Sequence, residues 1–519
     1  MVRVYNTLSK KVEELRPQEG RGLKVYVCGL TTYDYAHMGH ARTYVAFDII
    51  RRHLMRAGFE IKFVQNVTDI DDKILKRALE RKEEPLALSA RFDALAREDL
   101  KALNVLPADV CPKVSETLRQ IVAMVQILVQ RRFAYETEDG FYFEVAKFAG
   151  YGKLSGQKLG EIKSGARVAV DEKKKAPEDF AIWKFAAGDE CGFEDAWSVG
   201  EGKKPLRRGR PGWHIECSAM AKEHLGETVD VHGGARDLIF PHHENEIAQS
   251  EAANGKQFVK CWMHTGFLTV NGEKMAKSLG NFVTIRDALK KFDANSIRMF
   301  FAAVHYRSPV DYSEKSIVAA KNTLEKIFAV IGKAKGAMAA SSGSGAEKNT
   351  LSNAHGMGNV EPGEGASGIA LGARKALAEF EAAMDNDFDT PNACAAMVAL
   401  SKEMGEAIAN GKTAGMKNAL NAMLGMLDVF GIDYSNVKEQ HQIGAGVGGF
   451  VLPAVADVEK MLAKIKGGAK DEDINWLLRV RNAARGEKDY ALSDRIRREL
   501  VDAGIEVEDA KGAAGWKRK

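Results

Sequence analysis

Residues 23–67 read LKVYVCGLTTYDYAHMGHARTYVAFDIIRRHLMRAGFEIKFVQNV, and this stretch predicts the fold. It opens with an apolar run, Leu23–Cys28, which is typical of a buried parallel strand, and helix-forming residues follow from about Arg42 to Arg56. A second apolar run, Ile61–Val67, comes directly after Gly58. Strand, loop, helix and strand in this order predict a doubly wound α/β domain with a parallel sheet of the Rossmann type.

The segment His37-Met38-Gly39-His40 lies on the loop that enters the predicted helix. A helix N-terminus offers unpaired N–H groups and a partial positive charge, and Gly39 lets a nucleotide approach the backbone. A second motif, Lys274-Met275-Ala276-Lys277-Ser278, follows the Asn271-Gly272 turn on a flexible loop. Either motif alone also fits a solvated turn. The pair favours an ATP site, because imidazoles and ammonium groups stabilise a triphosphate during attack on its α-phosphorus.

Composition limits the class of protein. The 519 residues exceed one hydrophobic core, so roughly three to five domains or subdomains are expected. A net charge of +4 permits nucleic-acid binding through local patches without requiring it. No apolar stretch approaches the ~20 residues that span a bilayer. Residues Met1–Arg16 include acidic side chains and no apolar core, so we expect no signal or transit peptide and a cytoplasmic location without membrane association.

The order of patterns along the chain predicts several domains. From about Asp287 onward nearly every segment has helical character, and Ala337–Gly368 is a Gly/Ala/Ser-rich interruption expected to be a disordered loop. We expect the two halves of the α/β domain at 1–112 and 210–262, an inserted connective domain at 113–209, a region around the lysine-bearing loop at 263–320, an α-helical bundle at 321–450, and a small C-terminal unit at 451–519.

Six cysteines without CxxC spacing indicate reduced, mostly buried thiols rather than a disulfide framework. Two of them, Cys28 and Cys217, make a plausible four-ligand zinc set with His242 and Glu246, which are four residues apart on one helix face. His243 could replace His242. Two core cysteines beside a capped helix start would explain the same residues without a metal.

Several segments resemble the cysteinyl-tRNA synthetases, a family of class I aminoacyl-tRNA synthetases. They are Cys28–Asp34, His37–His40, Asn66–Ile74, Gly212–Met220, His232–Gly234, Pro241–Glu246 and Lys274–Ser278, with Glu487–Tyr490 and Trp516 near the end. The likeness spans nearly the whole chain. Met38 stands where the family commonly has Ile, and Ala276 where it commonly has Ser, but neither change removes an imidazole or an ammonium group. The poorly matched part is Ala337–Gly368.

The resemblance implies the activity and its cofactors. A monomeric enzyme would ligate L-cysteine to tRNA(Cys) through a cysteinyl adenylate, with Mg²⁺ accompanying ATP and one Zn²⁺ in the amino-acid pocket. An apolar pocket separates isosteres by only about a hundredfold. Zinc binds a thiolate strongly and an alcohol much less well, so coordination of the substrate sulfur would exclude serine without an editing domain.

The resemblance also implies roles for individual residues. Zinc ligands fall on Cys28, Cys217, His242 and Glu246, and cysteine-binding positions on Gly29, Thr68, Trp213 and His232. Catalytic roles fall on His37, His40, Lys274 and Lys277, and ATP contacts on His37, Gly39, His40, Gly233, Gly234, Asp237 and Lys277. The region at 263–320 would contact the tRNA stem. The anticodon would be contacted by Arg485, Asp494, Asp509 and Trp516.

Two other functions fit parts of these patterns. The cysteine ligase of mycothiol synthesis resembles the same family but joins cysteine to an amino sugar, and it is expected to lack a long anticodon-binding end. This chain continues from Ser278 to Lys519 and finishes with basic residues. A catalytically silent tRNA-binding paralogue is the other alternative. The intact histidine and lysine motifs count against it, because such a protein has no need of phosphate-binding side chains.

Overall fold

The structure is a computed structural model that describes residues 1–157, 173–186, 198–199, 204–205, 207–275, 279–341, 368–434, 455–465, 471–486, 489–510 and 513–518. The chain forms two compact units, Met1–Tyr434 and Ser435–Lys519. Within the described residues, every helix is either too short or too polar to cross a membrane.

The first part of unit one supplies half of the central sheet. Its elements are β1 (Arg3–Asn6), β2 (Lys11–Glu14), β3 (Gly22–Thr31), α1 (Met38–Arg56), β4 (Glu60–Thr68), α2 (Asp72–Arg81) and α3 (Pro85–Ala102). Helix α1 begins before the predicted start near Arg42. His37 caps it by accepting a hydrogen bond from the backbone N–H of His40, and histidine is not among the common N-cap residues that mark a helix start in sequence.

The next part contains a second sheet. Its elements are α4 (Leu118–Gln130), β5 (Ala134–Glu136), β6 (Gly140–Phe143), β7 (Phe180–Phe185), β8 (Ser198–Val199), β9 (Lys204–Pro205) and β10 (Gly209–Pro211). Strands β10, β7, β6 and β5 pair antiparallel in that order. Phe143 and Trp183 of this sheet belong to the same buried cluster as Tyr26 and Val64 of the central sheet, so the inserted segment shares its core with the α/β domain.

The central sheet is completed after this insertion by α5 (Trp213–Leu225), β11 (Val229–Ala235), α6 (Glu244–Asn254) and β12 (Val259–Thr265). The strand order is β12, β11, β3, β4, and every pairing is parallel. Helix α1 connects β3 to β4, and α6 lies between β11 and β12. The predicted Rossmann-type α/β fold is confirmed. The carboxyl ends of all four strands meet at one edge, which is where such sheets bind ligands.

Past the sheet the chain forms a small three-stranded sheet and then helices. The elements are β13 (Leu268–Val270), β14 (Glu273–Lys274), α7 (Ile285–Lys291), α8 (Ala294–Ala302), β15 (Val310–Tyr312), α9 (Glu314–Ser341), α10 (Ile369–Asp385), α11 (Thr390–Ala409) and α12 (Met416–Val429). Strand β15 pairs parallel with β13 inside a region expected to be helical, and three residues are too few for a periodic signal. Helix α9 extends through Ser341, and residues 342–367 of the predicted disordered loop lie outside the described residues.

Unit two contains α13 (Val455–Ile465), α14 (Asp471–Gly486), α15 (Tyr490–Asp502), β16 (Ile505–Ala510) and β17 (Ala513–Arg518). Its core is built from Ile474, Leu477, Ile496 and Ile505, among others. The chain ends in the basic segment Trp516–Lys519, for which the sequence analysis gave no strand, but the structure places Ala513–Arg518 in β17. Residues Ala513–Arg518 pair with β16 as an antiparallel strand. Backbone hydrogen bonds to Ile505–Ala510 stabilise this strand, although its side chains show no regular alternation of apolar and polar residues.

Candidate active site

The predicted metal ligands meet at the carboxyl edge of the central sheet. Cys28 lies in β3 where its pairing with β4 is irregular, between Val27 and Leu30. Cys217 lies on α5, and His242 and Glu246 lie on the turn into α6 and on its first turn. One donor atom from each of these four residues lies within 4.8 Å of the others, and all four residues are buried.

The distances within this group are short. The two sulfur atoms of Cys28 and Cys217 are 4.0 Å apart, and the Cys28 sulfur lies 3.8 Å from Glu246 Oε1. His242 Nε2 is 3.0 Å from the same carboxylate oxygen. Two sulfurs, one imidazole nitrogen and one carboxylate oxygen are a donor set that suits Zn²⁺. The residues therefore fit a single buried metal ion.

A second grouping of donors overlaps the first. Cys28, His232, His243 and Glu246 also lie within 4.8 Å of one another, and His243 Nε2 is 3.3 Å from the Cys28 sulfur. The far nitrogens of the two neighbouring histidines have different partners. His242 Nδ1 is 2.9 Å from His214 Nδ1, whereas His243 Nδ1 is 2.8 Å from His264 Nε2. Both rings thus direct Nε2 towards the sulfurs, and the alternative between His242 and His243 remains open on geometry.

The pKa values of His242 and His243 are shifted in opposite directions. Burial lowers the pKa of His242, but Glu246 and Cys217 outweigh it and raise that pKa to about 10. Burial lowers the pKa of His243 well below its usual value, and the neighbouring histidines lower it further. A hydrogen bond from Cys28 lowers the pKa of Cys217 to about 6 against the effect of burial. The surroundings thus favour an ionised Cys217 sulfur. Burial raises the pKa of Glu246, but His232 and His242 outweigh it and lower that pKa to about 2.

The predicted cysteine-binding residues surround this group. The Gly29 N–H donates to Asn66 Oδ1 at 2.8 Å, and Thr68 Oγ1 donates to the buried Glu216 at 3.3 Å. The Trp213 ring packs on the His242 ring with centroids 4.2 Å apart. His232 Nε2 lies 2.9 Å from Glu246 Oε2, and its ring stacks on Trp262. His232 therefore orients the carboxylate of a candidate ligand.

The two histidines of the first motif form one unit. The His40 backbone N–H donates to His37 Nδ1 at 3.3 Å, and the His37 backbone N–H donates to His40 Nδ1 at 3.2 Å. Their rings stack with centroids 3.5 Å apart. Since both Nδ1 atoms accept, the proton of each neutral ring lies on Nε2. Burial and His37 lower the pKa of His40 well below its usual value, which favours a neutral ring that carries its N–H at Nε2.

Tyr44 connects the histidine motif with the metal-ligand group. Its ring stacks with that of His40 at a centroid distance of 6.5 Å. Its hydroxyl donates to the backbone carbonyl of Cys28 at 3.4 Å. The two groups therefore belong to one site.

The lysine-bearing segment approaches the histidine motif. Lys274 lies on β14, and a Cβ added at Gly39 would lie 3.5 Å from the Met275 methyl carbon. Ala276, Lys277 and Ser278 lie outside the described residues. After this gap the chain is bound to the start of α1, since Met38 N–H donates to the Val283 carbonyl at 3.0 Å and Ile285 N–H to the Ala36 carbonyl at 3.0 Å. The two predicted motifs are neighbours in space.

The remaining ATP candidates follow β11. A Cβ at Gly233 would lie 2.1 Å from the Phe47 ring of α1, so this glycine lets a helix pack closely on the sheet. A Cβ at Gly234 would lie 2.8 Å from the Leu238 side chain and 3.1 Å from the His243 ring, so this glycine also lets neighbouring side chains approach the strand. Asp237 is exposed on the short helical turn after the strand. Their contact with ATP stays a prediction.

The anticodon candidates all lie in unit two. Arg485 is in the last turn of α14 and Asp494 is on α15, and both are exposed. Asp509 and Trp516 are on β16 and β17, where they pair with Ala514 and Val507. Their role in RNA recognition stays a prediction.

Residues that the sequence analysis did not single out complete the site. His214 and His264 bind the far nitrogens of His242 and His243, and Asn66 bonds both the Gly29 backbone and the Thr68 hydroxyl. One signal was present for His264, because it comes at the carboxyl end of a parallel strand, opposite Gly234. His214 and Asn66 lie inside quoted segments, but their contacts depend on the tertiary packing.

Comparison with known proteins places this chain in a family. The family model described as "tRNA synthetases class I (C) catalytic domain" matches residues 14–322, and the DALR domain model matches residues 379–434. The chain is 44% identical over 520 aligned residues to the cysteine–tRNA ligase of Thermococcus onnurineus, covering 100% of this chain and 99% of that protein. The chain belongs to the cysteine–tRNA ligase family of class I synthetases. The resemblance stated from the sequence is confirmed.

Further comparisons agree with the family. The cysteine–tRNA ligase of Methanococcus maripaludis is 43% identical, over 98% of this chain and 97% of that protein. Among solved structures, the methionyl-tRNA synthetase of Mycobacterium tuberculosis in complex with methionyl-adenylate aligns over 79% of this chain and 90% of its own, with a TM-score of 0.56. Its sequence identity is 15%, so this likeness concerns the fold alone.

Proposed function

We propose that this chain ligates L-cysteine to tRNA(Cys) in two ATP-dependent steps. The cysteine carboxylate first attacks the α-phosphorus of Mg-ATP, which forms cysteinyl adenylate and releases pyrophosphate. A ribose hydroxyl at the end of the tRNA then attacks the adenylate carbonyl and releases AMP. The observation that carries the proposal is the buried group Cys28, Cys217, His242 and Glu246 beside the histidine motif.

Recognition of cysteine would depend on this ligand group. Cys28, Cys217, His242 and Glu246 would hold the zinc ion, whose affinity for thiolates supplies the selectivity against serine. His232 holds Glu246 in place through its Nε2, and the Trp213 ring packs on His242, so the donors are fixed before the substrate enters. Gly29 and Thr68 would line the space for the substrate.

The phosphate chemistry would depend on positioned donors rather than on a protein nucleophile. The Nε2–H groups of His37 and His40 would donate to phosphate oxygens, while Lys274 and Lys277 would neutralise the charge of the leaving pyrophosphate. Gly39, Gly233, Gly234 and Asp237 would contact the nucleotide. The backbone hydrogen bonds of Met38 with Val283 and of Ala36 with Ile285 support this arrangement, because they hold the segment after the lysine motif against the start of α1.

The rest of the chain would serve the tRNA. We propose the domain limits 1–112, 113–209, 210–262, 263–320, 321–450 and 451–519 as functional parts, with the stem near 263–320 and the anticodon at unit two. Unstacked anticodon bases are commonly bound by stacking and by fork-shaped donors. Arg485, Asp494, Asp509 and Trp516 offer those groups.

Pyrophosphate exchange with the purified full chain tests the proposal. We expect exchange that depends on cysteine and not on serine, one zinc per chain, and transfer of cysteine to tRNA(Cys). In Cys217→Ser we expect zinc content and cysteine activation to fall together. Cys261→Ser alters a buried cysteine of β12 and serves as the matched control, with both properties retained. Equal activation of serine by wild-type protein, or a wild-type chain without bound zinc, would contradict the proposed recognition.

A further inference from the structure

Glu244 is a buried carboxylate between two candidate metal ligands. Its side chain has no solvent exposure, and it lies two residues after His242 and two before Glu246. One oxygen accepts the Gly152 N–H at 2.9 Å. The other accepts two more backbone N–H groups, from Leu154 at 3.1 Å and from Ser155 at 2.8 Å. Three backbone donors on one carboxylate form a strong, charge-assisted set of hydrogen bonds.

These donors belong to the inserted segment rather than to the α/β domain. The loop 151–157 lies between the strands of the second sheet, and it is a tight turn. Gly152 has a φ of +93°, and a Cβ there would lie 2.1 Å from the Gln157 carbonyl oxygen. Tyr151 adds a hydrogen bond from its hydroxyl to Asn245, the residue after Glu244. The conformation of the loop therefore lets it bind the start of α6 through several hydrogen bonds.

The segment that Glu244 holds has little regular structure of its own. Residues Ile239–His243 form an irregular turn, and Phe240 leaves the helical conformation with φ −138° and ψ 131°. Backbone hydrogen bonding of a regular helix thus does not fix His242. Glu244 is the first residue of α6, so its side-chain contacts set where the turn ends and the helix begins.

We propose that Glu244 is a positioning residue for the metal centre. By binding the N–H groups of Gly152, Leu154 and Ser155, it fixes the turn that carries His242 and the helix that carries Glu246. The inference rests on the metal site of the proposed function. Contacts that orient metal ligands commonly contribute about 10–100-fold to metal affinity.

Zinc affinity of the purified full chain, measured by competition with a chromogenic chelator, tests this. Glu244→Gln keeps the shape, but its amide replaces one acceptor oxygen with an N–H₂ group that opposes backbone donors. We expect its zinc dissociation constant to rise about 10–100-fold. We also expect altered ligand-field bands when Co²⁺ replaces zinc, because the donor geometry changes.

Two further variants separate positioning from general stability. Gly152→Ala disturbs the loop and leaves the sequence of α6 unchanged, and it should weaken zinc binding to a similar extent. It therefore tests the inference even if Glu244→Gln does not fold. Glu251→Gln is the matched control, since Glu251 also joins α6 to this loop through Lys153 but lies beyond the ligands. It should leave zinc affinity and the Co²⁺ spectrum unchanged.

The outcomes discriminate between this inference and the proposed function. Wild-type zinc affinity and Co²⁺ spectra in both Glu244→Gln and Gly152→Ala, with a lower melting temperature alone, would overturn the positioning role. A wild-type chain that binds no zinc would instead contradict the proposed function itself.

Discussion

His37 combines a structural contact with a candidate catalytic one. Its Nδ1 caps α1 by accepting the His40 N–H, and the same hydrogen bond leaves the ring proton on Nε2. His40 is arranged in the same way by the His37 backbone. The cap therefore leaves Nε2 of each ring as the nitrogen that would donate to a phosphate in the proposed mechanism.

Substitutions at His37 can remove the Nε2 donor while keeping or losing the hydrogen bond that caps α1. Asparagine is a good N-cap but lacks a donor at the position of Nε2, so His37→Asn should keep the melting temperature close to wild type. Its rate of cysteine-dependent adenylate formation should fall about a hundredfold or more. His37→Ala should show the same loss of rate and in addition lower the free energy of unfolding by ~1 kcal/mol.

Pre-steady-state adenylate formation and denaturant unfolding measure the two effects. His224→Ala is the control, because His224 lies in the last turn of α5, away from the candidate ligand Cys217 on the same helix. A rate in His37→Asn equal to that of wild type would remove the imidazole from the proposed mechanism.

The irregular pairing of β3 and β4 presents Cys28 to the site. Between Val27 and Leu30 the register shifts, and a Cβ at Gly29 would lie 1.6 Å from the Asn66 carbonyl oxygen. Only glycine lets the two backbones approach so closely. The position of a candidate metal ligand thus depends on a local feature of the strand pair.

Two glycine-to-alanine substitutions should change the free energy of unfolding in opposite directions. Gly29→Ala forces β3 and β4 apart, and we expect a loss of ~1–3 kcal/mol in the free energy of unfolding together with loss of zinc. Gly336 lies exposed in α9 with open space at its Cβ position. Gly336→Ala should stabilise the protein by about 0.5–1 kcal/mol. Urea unfolding and metal analysis check both, and a neutral Gly29→Ala would refute the steric argument.

A buried ion pair joins the helical part of unit one to the α/β domain. Arg298 of α8 pairs with Asp48 of α1, and both side chains are fully buried. The same guanidinium donates to the Phe430 carbonyl at 2.6 Å and to the Leu103 carbonyl at 2.9 Å. Burial lowers the pKa of Arg298, whereas Asp48 raises it. The Arg298 cation therefore connects α8 with three other segments: α1, the end of α12 at Phe430 and the end of α3 at Leu103.

Removal of this cation should destabilise the whole unit. Arg298→Met leaves Asp48 without one of its partners, and we expect a loss of about 3–5 kcal/mol in the free energy of unfolding. Adding Asp48→Asn should cost less than the sum of the two single changes, because the groups interact directly. Urea unfolding of the single and double variants measures the coupling. Lys402→Met, at an exposed pair with Glu406, is the control and should change stability by less than ~1 kcal/mol.

Local patterns in the sequence were sufficient for the fold class and the family. Apolar runs at Leu23–Cys28 and Ile61–Val67 predicted parallel strands, because a strand buried on both faces needs a continuous apolar run. The two candidate phosphate-binding motifs and the candidate metal ligands could be named as residue types. Spacing left the zinc set open, since Cys28 and Cys217 are 189 residues apart and chain distance does not report distance in space.

The tertiary structure alone determines which residues support the candidate ligands and how distant segments pack together. It brings His214 and His264 behind the candidate ligands, fills the space at Gly233 with Phe47, and turns residues 513–518 into a strand. Only His264 has a local signal, its place at the carboxyl end of a parallel strand. The other features have none, because each depends on a partner elsewhere in the chain. The same holds for Glu244, whose neighbours on the inserted segment give a carboxylate of the ligand motif its structural role.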